Sequence, residues 1–239
     1  MSVVTNDLSL PSRPATVRDA RMAGLWYLGL AITGLLGFVV LRAQWVDLGD
    51  PAGTLDRMID RPTVARLGLA LELGIVLTQA MAALAFFRLF KSVDTFRAGA
   101  LAAFGLVNAT VILASAAAVA TALAVVGPTG NPPVSDPAGT VHVLLSLSAN
   151  LWRVGGLFFG LWLIPMGLLA VQSCWMPRAL GWILVIGGLG YVVSTFTLVL
   201  APDATAVGTV LTIPATVGEL WMIGYLLIRG VRGGAPASV

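Results

Sequence analysis

Residues 66–89 read RLGLALELGIVLTQAMAALAFFRL. The run is long and apolar enough to cross a bilayer, whose hydrocarbon core takes about 20 residues of helix. Yet it carries Glu72. A carboxylate in hydrocarbon costs roughly 2.5–3.5 kcal/mol on insertion scales, so it faces a protein interior or a wet cavity. The last apolar stretch of the chain repeats the anomaly with Glu219. The expectation is an all-α bundle of membrane-spanning helices around a buried polar site made largely by these two carboxylates.

Outward from that stretch, hydropathy gives six spans, at 22–42, 65–88, 98–124, 153–173, 179–200 and 208–229. The run 22–40 is longer than the ~7–15-residue core of a signal peptide and is followed by no small-residue cleavage site, so it reads as a retained helix. Between the third and fourth spans lies GPTGNPPVSDPAGT, a Pro/Gly connection. The segment 141–152, VHVLLSLSANLW, is apolar but interrupted by His142, Ser146, Ser148 and Asn150. It either extends the fourth helix or lies along the interface. Residues 1–17 and 233–239 read as disordered ends around one domain, 18–232.

With the N-terminus inside, Arg13, Arg18, Arg21, Arg88, Lys91, Arg97, Arg178, Arg229 and Arg232 fall on inner segments. Arg42, Arg57, Arg61 and Arg66 fall on outer ones, and Arg153 sits at the outer boundary. This asymmetry favours both ends inside, as an even number of spans requires.

Composition excludes several classes. With 58% hydrophobic and 10% charged residues, the chain is far from a soluble domain, where about 25% charged is usual. One cysteine, Cys174, allows no internal disulfide. With His142 as the single histidine, soft ligands are too few for a structural zinc site, and no metal or cofactor is expected. The basic residues form no run of the kind that binds nucleic acid. No nucleotide-binding, metalloprotease, nucleophile-elbow or haem-attachment motif is present.

The candidate catalytic residues are Glu72 and Glu219. Glu72 lies about 9 Å below the outer boundary, counting ~1.5 Å per residue from Arg66, and Glu219 lies near mid-depth. Gln79, seven residues after Glu72, shares its face. Asn108 in the third span, Arg153 opening the fourth, Tyr191 in the fifth and Trp221 in the sixth complete a candidate ligand-binding set, converging on one outward-opening cavity if each faces inward. Each has a plainer reading. Gln79 and Asn108 bond helix to helix, Arg153 anchors at the interface or pairs with one of the acids, and the aromatic residues pack.

At several points the residues resemble a known family. ARMAGLWYLGLAITGLLG, with Arg21, Ala23, Gly24 and Tyr27, resembles the R-x-AG-x-x-Y opening of a bacterial multi-pass membrane family known only as domain of unknown function 4386. Arg66-Leu-Gly68 followed by Glu72, NLWRVGGLFFGLW, WMPRALGWILVIGGLGYV and PATVGELWMIGYLLIRGV with Glu219 extend the resemblance from about residue 18 to 232. That family often carries Asp where Glu72 stands, and His near Trp152 or Trp162. The resemblance implies a topology and a bacterial cell membrane, and no activity.

Three functions remain open. In the first, the acids bind or transform a small lipophilic molecule, as a protonated acid in a dry pocket can donate a proton. In the second, the pair couples proton movement to a small solute, for which six spans are few unless two copies associate. In the third, the chain is a structural or regulatory partner of another membrane protein. An apolar cavity lined by the acids favours the first, a polar path to both faces the second, and acids paired with Arg in a dry interior the third.

Overall fold

Thr16 opens the first helix with a reciprocal cap. Its hydroxyl accepts from the Asp19 amide at 3.1 Å, and the Asp19 carboxylate accepts from the Thr16 amide at 3.1 Å. From there the chain is helical almost throughout. The computed structural model describes residues 15–127, 134–201, 203 and 205–231. The expected disordered ends fall, apart from residues 15–17, outside the described residues, as does part of the Pro/Gly connection.

Among the described residues seven helices follow in order: α1 Val17–Trp45, α2 Pro51–Asp60, α3 Pro62–Phe90, α4 Thr95–Val126, α5 Pro137–Ser173, α6 Arg178–Leu200 and α7 Thr205–Ile228. All but α2 are long and apolar enough to span a membrane, and the protein is a multi-pass membrane protein. The spanning helices form a ring. Each packs on the next in sequence, α1 on α3, then α4, α5, α6 and α7, and α7 returns to α1. The α1–α7 seam is the thinnest of these contacts.

Close approach in the ring depends on glycine. A Cβ at Gly160 in α5 would stand 2.6 Å from the Gly188 carbonyl of α6, and one at Gly188 would stand 2.7 Å from the Gly160 carbonyl. A Cβ at Gly190 would overlap the Leu211 carbonyl of α7. Only hydrogen fits at these crossings.

Three local features position the polar residues. Within α1, Leu35–Leu41 is a π-helical stretch, in which the Arg42 amide bonds to the Gly37 carbonyl. Such a wider turn re-aims the side chains that follow it. Second, α5 runs unbroken for 37 residues, about 55 Å at ~1.5 Å per residue. The segment 141–152 therefore extends the fourth spanning helix. Val141, Leu145 and Ser148 recur at helical spacing on its buried face, and Asp136 caps it by accepting from the Gly139 amide at 2.9 Å. Third, the segment between α1 and α3 is not merely a loop. Asp50 caps α2, Pro51 begins it, and Thr54 and Met58 face inward.

The core has two parts. A small cluster at the α2 end joins Trp45, Met58, Ala65, Val119, Ala122, Val126, Val141 and Leu145. The larger one fills the middle and the opposite end. There Tyr27 meets Phe86 and Trp162 edge-to-face, with ring centres 5.4 and 5.3 Å away. Phe90 and Trp175 stack nearer that end, and the Tyr225 hydroxyl donates to the Trp175 carbonyl.

Candidate functional site

The two intramembrane carboxylates occupy separate places. Glu72, on α3, is the centre of a closed polar knot drawn from four helices. One of its oxygens, Oε1, accepts from the Ser115 hydroxyl of α4 at 2.6 Å and from the Trp152 indole of α5 at 2.9 Å. Its other oxygen faces the Arg42 guanidinium of α1 at 3.9 Å. Arg42 also donates to the Ser148 hydroxyl at 3.0 Å, and the Ser115 and Ser148 hydroxyls lie 2.8 Å apart. Arg42 and Glu72 are both largely buried, with 12% and 8% of their side chains exposed. The space beside them, lined by Gly37, Phe38, Trp45, Gly68, Ile75 and Trp152, is about 10 Å³, at most one water's worth. The partner that the sequence suggested for an acid, Arg153, is not the one used. Arg42 reaches Glu72 because it follows directly on the π-helical stretch of α1.

Glu219, on α7, has no cation within ion-pair distance among the described residues. The Tyr27 hydroxyl of α1 donates to it at 2.6 Å. Both residues line a partly open cavity of about 610 Å³ bordered by α1, α3, α4, α5, α6 and α7. Its walls are mostly apolar: Leu28, Leu30, Ala31, Ile75, Ile112, Trp152, Phe159 and Ile223. Ile32, Leu35 and Leu220 line it too and are about half exposed on the outside of the bundle. The cavity thus reaches the thin α1–α7 seam, where the bilayer would lie.

Of the residues expected to form a ligand site, Gln79, Asn108 and Tyr191 line this cavity with Glu219. Gln79 is fully buried, and neither its amide nitrogen nor its oxygen has a hydrogen-bond partner among the described residues. Arg153 is exposed and lines a second, larger cavity of about 860 Å³ with Asn150, Ser194, Thr195 and Thr212. Tyr191 and Trp152 line both cavities, so the two adjoin. Trp221 is 41% exposed and lines neither. It stands two residues from Glu219, about 200° around the helix at 3.6 residues per turn, and therefore faces outward.

Sequence reasoning misses four members of the Glu72 knot and one role in the other site. Arg42 reads as an outer-segment charge, Ser148 as an interruption of an apolar segment, Trp152 only as part of a family motif, and Ser115 not at all. Tyr27 stood in the opening motif without a partner. The motif now has a physical reading. Ala23 is fully buried, a Cβ at Gly24 would meet the Leu226 side chain of α7 at 3.0 Å, and Tyr27, one turn on, bonds Glu219. The small pair brings α1 against α7, and the tyrosine completes the contact.

A family model described as "Domain of unknown function (DUF4386)" matches residues 22–230, most of the chain, and the chain belongs to that family. No curated protein and no solved structure matches it.

Proposed function

We propose that this member of the DUF4386 family is a ligand-binding protein of a bacterial cell membrane, holding a small lipophilic molecule in the cavity lined by Tyr27, Gln79 and Glu219. The observation that carries this reading is the cavity itself. It measures about 610 Å³ and joins mainly apolar walls to Tyr27, Gln79, Asn108, Tyr191 and Glu219. That is within the ~300–1,000 Å³ range of small-molecule sites, which likewise combine apolar walls with a few polar groups. An apolar chain would fill it. Glu219, held by a tyrosine rather than by a cation, is the group placed to exchange a proton with the occupant if the occupant is transformed.

The carrier reading has less support. The cavity at the other end of the bundle, lined by Arg18, Asp19, Trp26 and Arg88 among others, shares no lining residue with the Glu219 cavity. The packed rings of Tyr27, Phe86 and Trp162 occupy the interior beside Glu219. The structural reading suits Glu72, whose partner is Arg42, and not Glu219.

The test is native mass spectrometry of the full chain extracted from its host membrane. A small apolar molecule should copurify with the wild type. It should be lost from Ala31→Phe, which places a ring in the cavity. Equal recovery of the same lipids from both proteins would overturn the reading.

A further inference from the structure

We infer that the occupant is a single-chain anionic amphiphile, its carboxylate or phosphate head at Arg153 and its apolar chain in the cavity beside Glu219. This rests on the ligand-binding reading above and goes further, to the class of molecule and its direction. The two adjoining cavities differ in chemistry. The one around Glu219 is walled mainly by aliphatic and aromatic side chains. The one around Arg153 is lined by Asn150, Ser194, Thr195 and Thr212 as well as by apolar residues. Among the described residues Arg153 is the sole cation lining either cavity, and no acidic side chain lines the Arg153 cavity. Arg153 is exposed and makes no ion pair among the described residues.

The hydroxyls around it do not compete for that role. Ser194 and Thr195 donate to the Tyr191 carbonyl, and Thr212 donates to the Thr209 carbonyl, each within its own helix. They offer acceptors, so an anion's strong donor there is the guanidinium, whose fork matches carboxylate and phosphate oxygens. At the other end stands Glu219, in a cavity whose described lining offers no cation to a second acidic group. Charge therefore orients the molecule: head toward Arg153, chain toward Glu219. The span is short. Thr212 lines the polar cavity and Glu219 the apolar one, seven residues apart on one helix, about 10 Å at ~1.5 Å per residue. That distance suits a chain of medium length. The exposed residues Ile32, Leu35 and Leu220 at the seam give it a route from the bilayer.

The experiment uses the full chain in nanodiscs of phosphatidylcholine and radiolabelled decanoate, decyl phosphate and decanol, at a pH where decanoate is ionised. Ala31→Phe nanodiscs supply the background. Decanol tests the ligand-binding reading, and the difference between decanol and the two anions tests the head. Binding of at least one anion about ten-fold tighter than decanol, a gain abolished by Arg153→Gln and largely kept by Arg153→Lys, is the expected result. Decanoate and decyl phosphate tell a fatty-acid head from a phosphate head. Equal affinity for decanol and both anions, or an anion preference that survives Arg153→Gln, would overturn the inference while leaving the ligand-binding reading intact. Acetate or inorganic phosphate displacing the bound amphiphile as well as the amphiphile itself does would also overturn it, since the head alone would then be recognised. No specific binding of any of the three chains would sink the ligand-binding reading, and the inference with it.

Discussion

Glu72 and Glu219 are the chain's two glutamates, and the protein surrounds them in opposite ways. Glu72 accepts from Ser115 and Trp152, faces Arg42 across 3.9 Å, and has about 10 Å³ of free space beside it. Glu219 has a single tyrosine donor and faces about 610 Å³. Four helices meet in the first arrangement, and every group in it has a partner. The second leaves room. A buried charge that is paired and hydrogen-bonded fixes how helices sit against one another. A carboxyl at a cavity wall fixes little and is free to meet a ligand. Within a membrane bundle, the packing around an acid thus says more about its role than the acid itself does.

The largest way to break this comparison is Arg42→Ala. It leaves Glu72 buried without its cation, and removing one partner of a buried pair costs roughly 3–5 kcal/mol. A loss of about 3 kcal/mol is expected in denaturant unfolding in detergent, with part of it recovered in Arg42→Met combined with Glu72→Leu. A loss no larger than that of a surface substitution would make the knot incidental. Gln79→Leu should move the other way. It removes two unpaired polar atoms from the interior, so the protein should gain about 1 kcal/mol. A clear loss of stability there would mean that the amide has a structural partner. Tyr27→Phe removes one hydrogen bond beside a cavity, and a loss of about 0.5–1 kcal/mol is expected, read as a small drop in melting temperature. Smallest of all is Glu219→Gln. The Tyr27 hydroxyl can donate to the new amide oxygen as it does to the carboxylate, so stability should stay within about 0.5 kcal/mol of the wild type.

Much of the fold was legible because lipid imposes a simple code. Spans of apolar residues had to be helices with every backbone group bonded internally, and the six expected spans lie within the six long helices almost throughout. The fate of 141–152 was left open by its serines and asparagine. Its apolar residues already recur at helical spacing, and Ser148 is tolerated in the interior because Ser115 and Arg42 bond it. The short helix α2 was missed, although Asp50 before Pro51 is a helix-start pattern.

The site was less legible. Depth along each helix placed Glu72, Gln79 and Arg153 reasonably, but depth does not fix which groups meet. Arg42 and Arg153 stand at similar depths, and the choice between them as the partner of Glu72 turns on the π-helical stretch Leu35–Leu41, an apolar LLGFVVL run with no polar signal of its own. The outward face of Trp221, by contrast, was readable from its two-residue spacing to Glu219. Treating the two acids as one site was the step that neither depth nor periodicity supported. What divides them is their partners, Ser115, Trp152 and Arg42 for Glu72 and Tyr27 for Glu219, although Ile75 and Trp152 line the spaces beside both.

The most direct test of the central claim compares the thermal stability of the purified wild type, Glu72→Gln and Glu219→Gln under one set of conditions at neutral pH. The account predicts that Glu72→Gln, which leaves Arg42 without its anion, melts well below the wild type, while Glu219→Gln melts with it. Equal stability of all three proteins, or a larger loss in Glu219→Gln than in Glu72→Gln, would contradict the division of roles between the two carboxylates.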